Sequence, residues 1–164
     1  MSAVLDAVRQ PVLSTAGAPI REMLSFAVGR EHYAIDILKV QEIRGYEPPT
    51  RIASAPESLK GVINLRGVIV PIVDLRMRLG CGQPKYDAST VVIILSLSDR
   101  MAGIVVDSVS DVVALDDEQV KPAPEFEANA ASTFVRGLAT VGERMLIVVD
   151  IEGMLGDGLV RNAR

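Results

Sequence analysis

The chain has 164 residues, 49% of them hydrophobic, and a net charge of −4. That is enough apolar material for one or two units with a real core, and too much for a wholly disordered chain. Three Phe, three Tyr, no Trp and no basic stripe leave base stacking and phosphate neutralisation without their residues, which excludes nucleic acid as a partner.

Charge is uneven: residues 1–82 carry ten basic and eight acidic side chains, residues 83–164 seven and thirteen. A single cysteine, Cys81, forbids an intrachain disulfide or a Cys-rich metal site. Asp6 and Arg9 interrupt the N-terminal residues, so no secretory h-region is present, and no apolar run approaches the ~20 residues of a bilayer span. A cytoplasmic chain without membrane insertion is expected.

In chain order, residues 1–20, with Pro11, Ser14, Thr15, Gly17 and Pro19, hold no sustained period and read as a flexible lead-in. Met23 to Val28 and Tyr33 to Ile37, separated by the polar Gly29-Arg30-Glu31-His32, give a hairpin signal. Ser54-Ala55-Pro56-Glu57 has capping-box spacing, with Gly61 placed to end a short helix. Further strands are expected at Val68 to Val73, Val91 to Leu97, Ala102 to Val106, Val109 to Leu115 and Met145 to Ile151. Most exceed strict alternation, so both faces should be covered. Asp74 is placed to cap a stub to Leu79, with Gly80 beyond, and Asp150 a second stub through Leu155. The connections are too short for βαβ crossovers, so an all-β fold of small barrels is preferred.

The chain also repeats itself. Ile37-Leu38-Lys39-Val40-Gln41-Glu42-Ile43 shares its pattern with Val106-Asp107-Ser108-Val109-Ser110-Asp111-Val112. Leu65-Arg66-Gly67 resembles Val135-Arg136-Gly137, and Val70-Pro71-Ile72-Val73-Asp74-Leu75 resembles Leu146-Ile147-Val148-Val149-Asp150-Ile151. Two related lobes are implied, at about residues 21–82 and 90–156 with strand exchange allowed, linked near Gln83 to Ser89 and followed by a tail at 157–164. Like lobes meet at a seam, and a seam can bind.

Residues that carry chemistry are few. His32, the sole histidine, reads as an exposed turn residue, and Cys81 between two glycines as an incidental thiol. Asp107, Asp111, Asp116 and Asp117 lack the spacing of a calcium loop and read as solvated strand ends. No phosphate-cradling glycine motif occurs. An enzyme using Asp107 or Asp111 would need a strongly shifted carboxylate in a pocket. No cofactor or metal is expected. Alternation in Val40 to Tyr46 would set Val40 and Glu42 on one face, Gln41 and Ile43 on the other. Arg66 opens the next hairpin, and a Glu42–Arg66 ion pair would tie the segments if they are adjacent.

Asp36 to Tyr46, Lys60 to Arg76, Gly103 to Asp107 and Lys121 to Phe126 closely resemble the CheW family of bacterial chemotaxis coupling proteins, and the likeness runs from about Ile20 to Leu155. The resemblance implies two intertwined five-stranded SH3-like β-barrels with a few short helices. It also implies a non-catalytic scaffold that binds the cytoplasmic tips of transmembrane chemoreceptors and the regulatory domain of the histidine kinase CheA, and so associates with membrane-bound receptor arrays. An adaptor of a non-flagellar chemosensory pathway is the alternative; a fused receiver domain, as in CheV-like relatives, has no room after the second lobe. Residue by residue, Val40, Glu42 and Ile43 match positions linked to receptor or kinase contact, Arg66 the arginine that pairs with the acid at Glu42, Gly61 a position associated with partner binding, and Val112 a lining residue of a groove between the lobes. The plain readings beside these are core burial for Val40, Ile43 and Val112, and a helix stop for Gly61.

Overall fold

Strands apolar on both faces need cover on both sides, and the fold provides it by setting two hairpins between two barrels. The computed structural model describes residues 12–13, 19–80, 84–122 and 134–155. The middle barrel is built from β4 (Val40–Gly45), β5 (Leu59–Leu65), β6 (Val68–Asp74), β7 (Val91–Ser96) and β8 (Met101–Val106), in the order β4-β7-β8-β6-β5. A bridge between Thr50 and Val62 closes it. The terminal barrel takes strands from both chain ends: β2 (Pro19–Val28), β3 (Glu31–Asp36), β9 (Ser108–Asp116), β10 (Val120–Lys121), β11 (Val135–Val141) and β12 (Arg144–Val149). Its order is β9-β2-β3-β12-β11-β10, and β9 turns straight into β10 to complete the circle; β1 (Val12–Leu13) adds a short pairing to the start of β2.

Side-chain alternation on the shared hairpins sorts the cores. Leu24, Phe26, Tyr33 and Ile35 of β2–β3 face Ile93, Leu95, Ile104 and Val106 of β7–β8 in one central cluster between the barrels. The opposite faces fill the interiors: Met23 and Ala34 with Leu146 and Val148 in the terminal barrel, Val92, Ile94 and Val105 with Val70 and Ile72 in the middle one. Each fully buried aliphatic or phenyl side chain contributes roughly 1.5–3 kcal/mol against exposure, so the central cluster is what keeps two small barrels from acting as separate units.

The repeat in the sequence is a repeat of structure, but sheet membership does not follow a boundary between residues 82 and 90. The first unit sends its hairpin β2–β3 to the terminal barrel and β4–β6 to the middle barrel; the second sends β7–β8 to the middle barrel and β9–β12 to the terminal barrel. Exchange buries the hairpins on both faces, which a side-by-side arrangement of contiguous halves could not do. The units share their irregularities. Gln41 is the extra residue of a bulge between Val40 and Glu42, as Ser110 is between Val109 and Asp111. The bulge breaks the alternation expected in β4, and Val40 and Ile43 both pack on the central cluster, as do Val109 and Val112.

Register also corrects one sequence match. The β5–β6 bulge spans Leu59 and Gly61, and the β11–β12 bulge spans Val135 and Gly137, so the counterpart of Val135-Arg136-Gly137 is Leu59-Lys60-Gly61, not Leu65-Arg66-Gly67. The expected short helix before Gly61 is replaced by turns, with Ser54 at φ 66. Gly61, at φ 145, lies in β5, where a Cβ would sit 2.1 Å from the Thr50 carbonyl oxygen. It is the glycine that lets the barrel close, not a helix stop. The stub after Asp74 is α1 (Leu75–Arg78), capped by the Asp74 carboxylate accepting from the Arg76 amide at 3.0 Å, and residues 151–155 form its counterpart after Asp150. His32 belongs to β3 and is half-buried, because the turn is only Gly29-Arg30. Cys81 and most of the lead-in lie outside the described residues, although β2 already begins at Pro19.

Candidate functional site

Glu42 leaves β4 just after the bulge, and Arg66 occupies the turn between β5 and β6 with φ 52. The two segments meet, and the Arg66 guanidinium donates to Glu42 Oε1 at 2.5 Å. The arginine is 65% exposed, so the pair adds little to stability and is open to a partner. Beside it the start of β6 leaves Val68 and Ile69 exposed. Sequence reasoning passed over both, because a Val-Ile-Val run reads as strand interior and only the hairpin tip exposes it.

The six candidates do not form one patch of contact surface. Val40 is 5% exposed and belongs to the central cluster, while Ile43 and Val112 are half-buried at its margin. Gly61 is buried at the far end of β5 from Arg66. What lies open is the ion pair, the hairpin tip and the edges of Ile43 and Val112. The seam itself is filled by core, and a cleft of about 290 Å³ opens over Met23, Leu115 and Val148 of the terminal barrel, with Asp36 and Lys39, where the chain crosses to the middle barrel, at its edge. The second unit repeats the motif: Asp111, equivalent to Glu42, accepts from Arg144 at 2.9 Å, and Met145 of the β11–β12 hairpin is exposed like Ile69.

The acidic residues singled out in the second half have separate partners. Asp107 accepts from Arg76 and from the Gly29 amide, Asp111 from Arg144, Asp116 from the Gln119 amide, and Asp117 lies 3.6 Å from Arg21. Asp107 is therefore no simple solvated strand end. Among the described residues no group of His, Cys, Asp or Glu is arranged to hold a metal ion.

The ion pair of Arg76 with Asp74 is buried, at the centre of a polar cluster that reaches the surface. Arg76 grips Asp74 with two nitrogens at 2.9 and 3.0 Å, donates to Asp107 at 2.9 Å and to the Lys85 carbonyl at 2.6 Å, and lies over the Tyr86 ring. The Tyr86 hydroxyl donates to Asp74 at 2.7 Å. Burial pushes the Asp74 carboxyl upward, but its bonds to Arg76 and Tyr86 and the adjacent positive charge outweigh that, and it stays below the usual carboxylate range. Burial, then the bond to Asp74, raises the Tyr86 hydroxyl above its ordinary 10. These groups hydrogen-bond one another, so their work is structural.

Two barrels locked by exchanged strands, with paired charges and bare aliphatic tips at the joint, belong to the class of β-barrel docking scaffolds. A family model described as CheW-like domain matches residues 22–158, and the chain belongs to that family. It is 57% identical over 135 residues to the chemotaxis protein CheW of Klebsiella aerogenes, covering 82% of this chain and 81% of that one. It is 31% identical over 134 residues to the chemotaxis protein CheW of Bacillus subtilis, covering 82% and 86%. Its fold is similar to the crystal structure of the scaffolding protein TtCheW from Thermoanaerobacter tengcongensis, with TM-score 0.75 and 31% identity over 84% of this chain and 94% of that one.

Proposed function

We propose that this protein is the chemotaxis scaffold that couples transmembrane chemoreceptors to the histidine kinase CheA, binding the receptors' cytoplasmic tips and the kinase regulatory domain from the cytoplasm at receptor arrays. The observation that carries this reading is the Glu42–Arg66 pair held beside the exposed Val68 and Ile69, within a chain of the CheW-like family. An amphipathic helix presents an apolar stripe flanked by charge, and this surface offers the complement: aliphatic tips, the edges of Ile43 and Val112, and a paired carboxylate and guanidinium at the rim. Such contacts are individually modest and gain strength from repetition, because a lattice of tethered sites raises effective concentration. Coupling then consists of differential contacts that shift the kinase between states, with no bond made or broken by this chain. Among the described residues no helix is long and apolar enough to cross a membrane, which agrees with recruitment through receptors. Val40 and Gly61 act in this scheme from inside the fold, holding β4 and closing the barrel.

The test is reconstitution of receptor-containing membranes and CheA with and without this chain, reading kinase activity and its suppression by attractant. Receptor control of the kinase should require the chain. Equal control in its absence would refute the assignment.

A further inference from the structure

The chain crosses from barrel to barrel twice, and each crossing carries a carboxylate clasp. From the terminal barrel to the middle one it passes through a single helical turn, Ile37–Lys39, directly before β4. From the middle barrel back, it passes through Asp107 alone, directly before β9. The strands that carry Glu42, Ile43 and Val112 therefore start at these two points.

At the second crossing Asp107 is held by Arg76, the second residue of α1, and also accepts from the Gly29 amide at 2.6 Å. The clasp thus joins the helix of the middle barrel, the crossing and the hairpin turn of the terminal barrel. At the first crossing Lys39 donates to Glu152 at 2.7 Å, and Glu152 also accepts from the Ser98 amide at 2.9 Å. Glu152 is the second residue of the helical turn 151–155, in the position of Arg76, and Ser98 lies in the β7–β8 turn as Gly29 lies in the β2–β3 turn. Helix, crossing and opposite hairpin are again joined, with the signs of the two side chains exchanged. In both, one carboxylate accepts from a cation and from a turn amide, and the three groups together span the crossing and both barrels.

The clasps differ in depth. The Arg76 side chain is 3% exposed and tied to the buried Asp74 as well as to Asp107, itself 38% exposed, whereas Lys39 and Glu152 are 35% and 28% exposed and Glu152 has, besides Lys39, only the Ser98 side chain and amide. An ion pair facing water opens far more readily than one whose loss strands a buried charge.

From this we infer that Lys39 and Glu152 are positioning residues for docking: within the packing set by the central cluster, their half-buried clasp biases the angle between the barrels, and with it the spacing between the Glu42–Arg66 pair of one barrel and Val112 of the other. The inference rests on the docking role proposed above. Neither residue lies in the contact surface; each acts through the strand that follows the crossing or through the helix packed against it.

The experiment compares Lys39→Glu, Glu152→Lys and the double swap, which places the acid on the crossing as in the Asp107 clasp. Spin labels at Ile69→Cys and Met145→Cys, on the exposed hairpin tips of opposite barrels, in a Cys81→Ser background, report the inter-barrel distance by pulsed electron resonance. Unlabelled variants are titrated calorimetrically with a receptor cytoplasmic-tip fragment. Each single reversal should broaden or shift the distance distribution and weaken binding about tenfold, with the chain still unfolding cooperatively in urea, and the double swap should restore both in part. Unchanged distances, or single variants that bind as well as the parent, would overturn the positioning role while leaving the docking role standing. A parent chain that binds no receptor fragment would remove both.

Discussion

Replacing Gly61 by alanine should cost this fold more than any other glycine-to-alanine change at a turn or bulge. The position combines two faults for an L side chain: φ is 145, and the new Cβ would lie 2.1 Å from Thr50 O and 2.7 Å from its carbonyl carbon. Both obstacles are backbone, so no rotamer change relieves them. The strand must retreat, and retreat breaks the two reciprocal 2.9 Å hydrogen bonds between Thr50 and Val62 that close the middle barrel. Losing those bonds costs about 1 kcal/mol each, and holding alanine in that backbone region about 1–3 kcal/mol, for a combined loss of about 3–5 kcal/mol. That is a large share of the roughly 5–15 kcal/mol by which a domain is stable. The assay is urea unfolding with three controls. Gly67→Ala, at φ 89 with open space around it, carries backbone strain alone and should lose about 1–2 kcal/mol. Gly45→Ala, with no crowding and no positive φ, should stay within about 0.5 kcal/mol. Gly137→Ala, whose Cβ would meet the Lys121 carbonyl oxygen at 2.4 Å, should lose an intermediate amount. Should Gly61→Ala prove no worse than Gly67→Ala, close approach at barrel closure is not what the glycine is for.

Glu42→Arg and Arg66→Glu should each leave the unfolding midpoint nearly unchanged, since an exposed pair contributes about 0–1 kcal/mol. Each should weaken receptor-fragment binding about tenfold by calorimetry, with partial recovery in the double swap; undiminished binding by either single variant refutes the docking role of the pair. Arg76→Met should destabilise by about 3–5 kcal/mol in denaturant, because it strands the buried Asp74 carboxylate, and a loss under 1 kcal/mol would show that the cluster is dispensable. The Glu152 carboxyl is held down to about 2 by the Lys39 ammonium and the Ser98 groups, against an ordinary 4.5. A depressed acid stabilises the fold above its unfolded value and loses that contribution as the pH falls through its folded one. Stability should therefore decline between about pH 4.5 and 2 with a component that Glu152→Gln lacks, and identical acid profiles for the two proteins would exclude it.

Much of this molecule was legible along the chain, because the signals are local. Apolar runs without alternation demanded strands buried on both faces, and Asp74 and Asp150 announced their helical stubs through short-range capping chemistry. The duplication was visible because two copies under the same packing demand kept the same residue pattern. Glu42 and Arg66 could be named from sequence, but their contact depends on how the β5–β6 turn is brought against β4.

Tertiary structure decided the rest, and for one physical reason: pairing partners far apart in the chain leave no periodic trace. Which barrel receives which hairpin, the bulges at Gln41 and Ser110 that put Val40 with Ile43 and Val109 with Val112, and the crowding of Gly61 by Thr50 follow only from strands meeting across the sheet. A glycine's spacing could not tell a helix stop from a point of backbone contact, nor could an aspartate's tell a solvated strand end from the carboxylate that takes Arg76 of one barrel and the Gly29 amide of the other. Sequence alone set the kind of most elements, the turns before Gly61 excepted, and the fact of repetition; the exchange of strands between barrels set where charge, apolar edge and clasp come to lie.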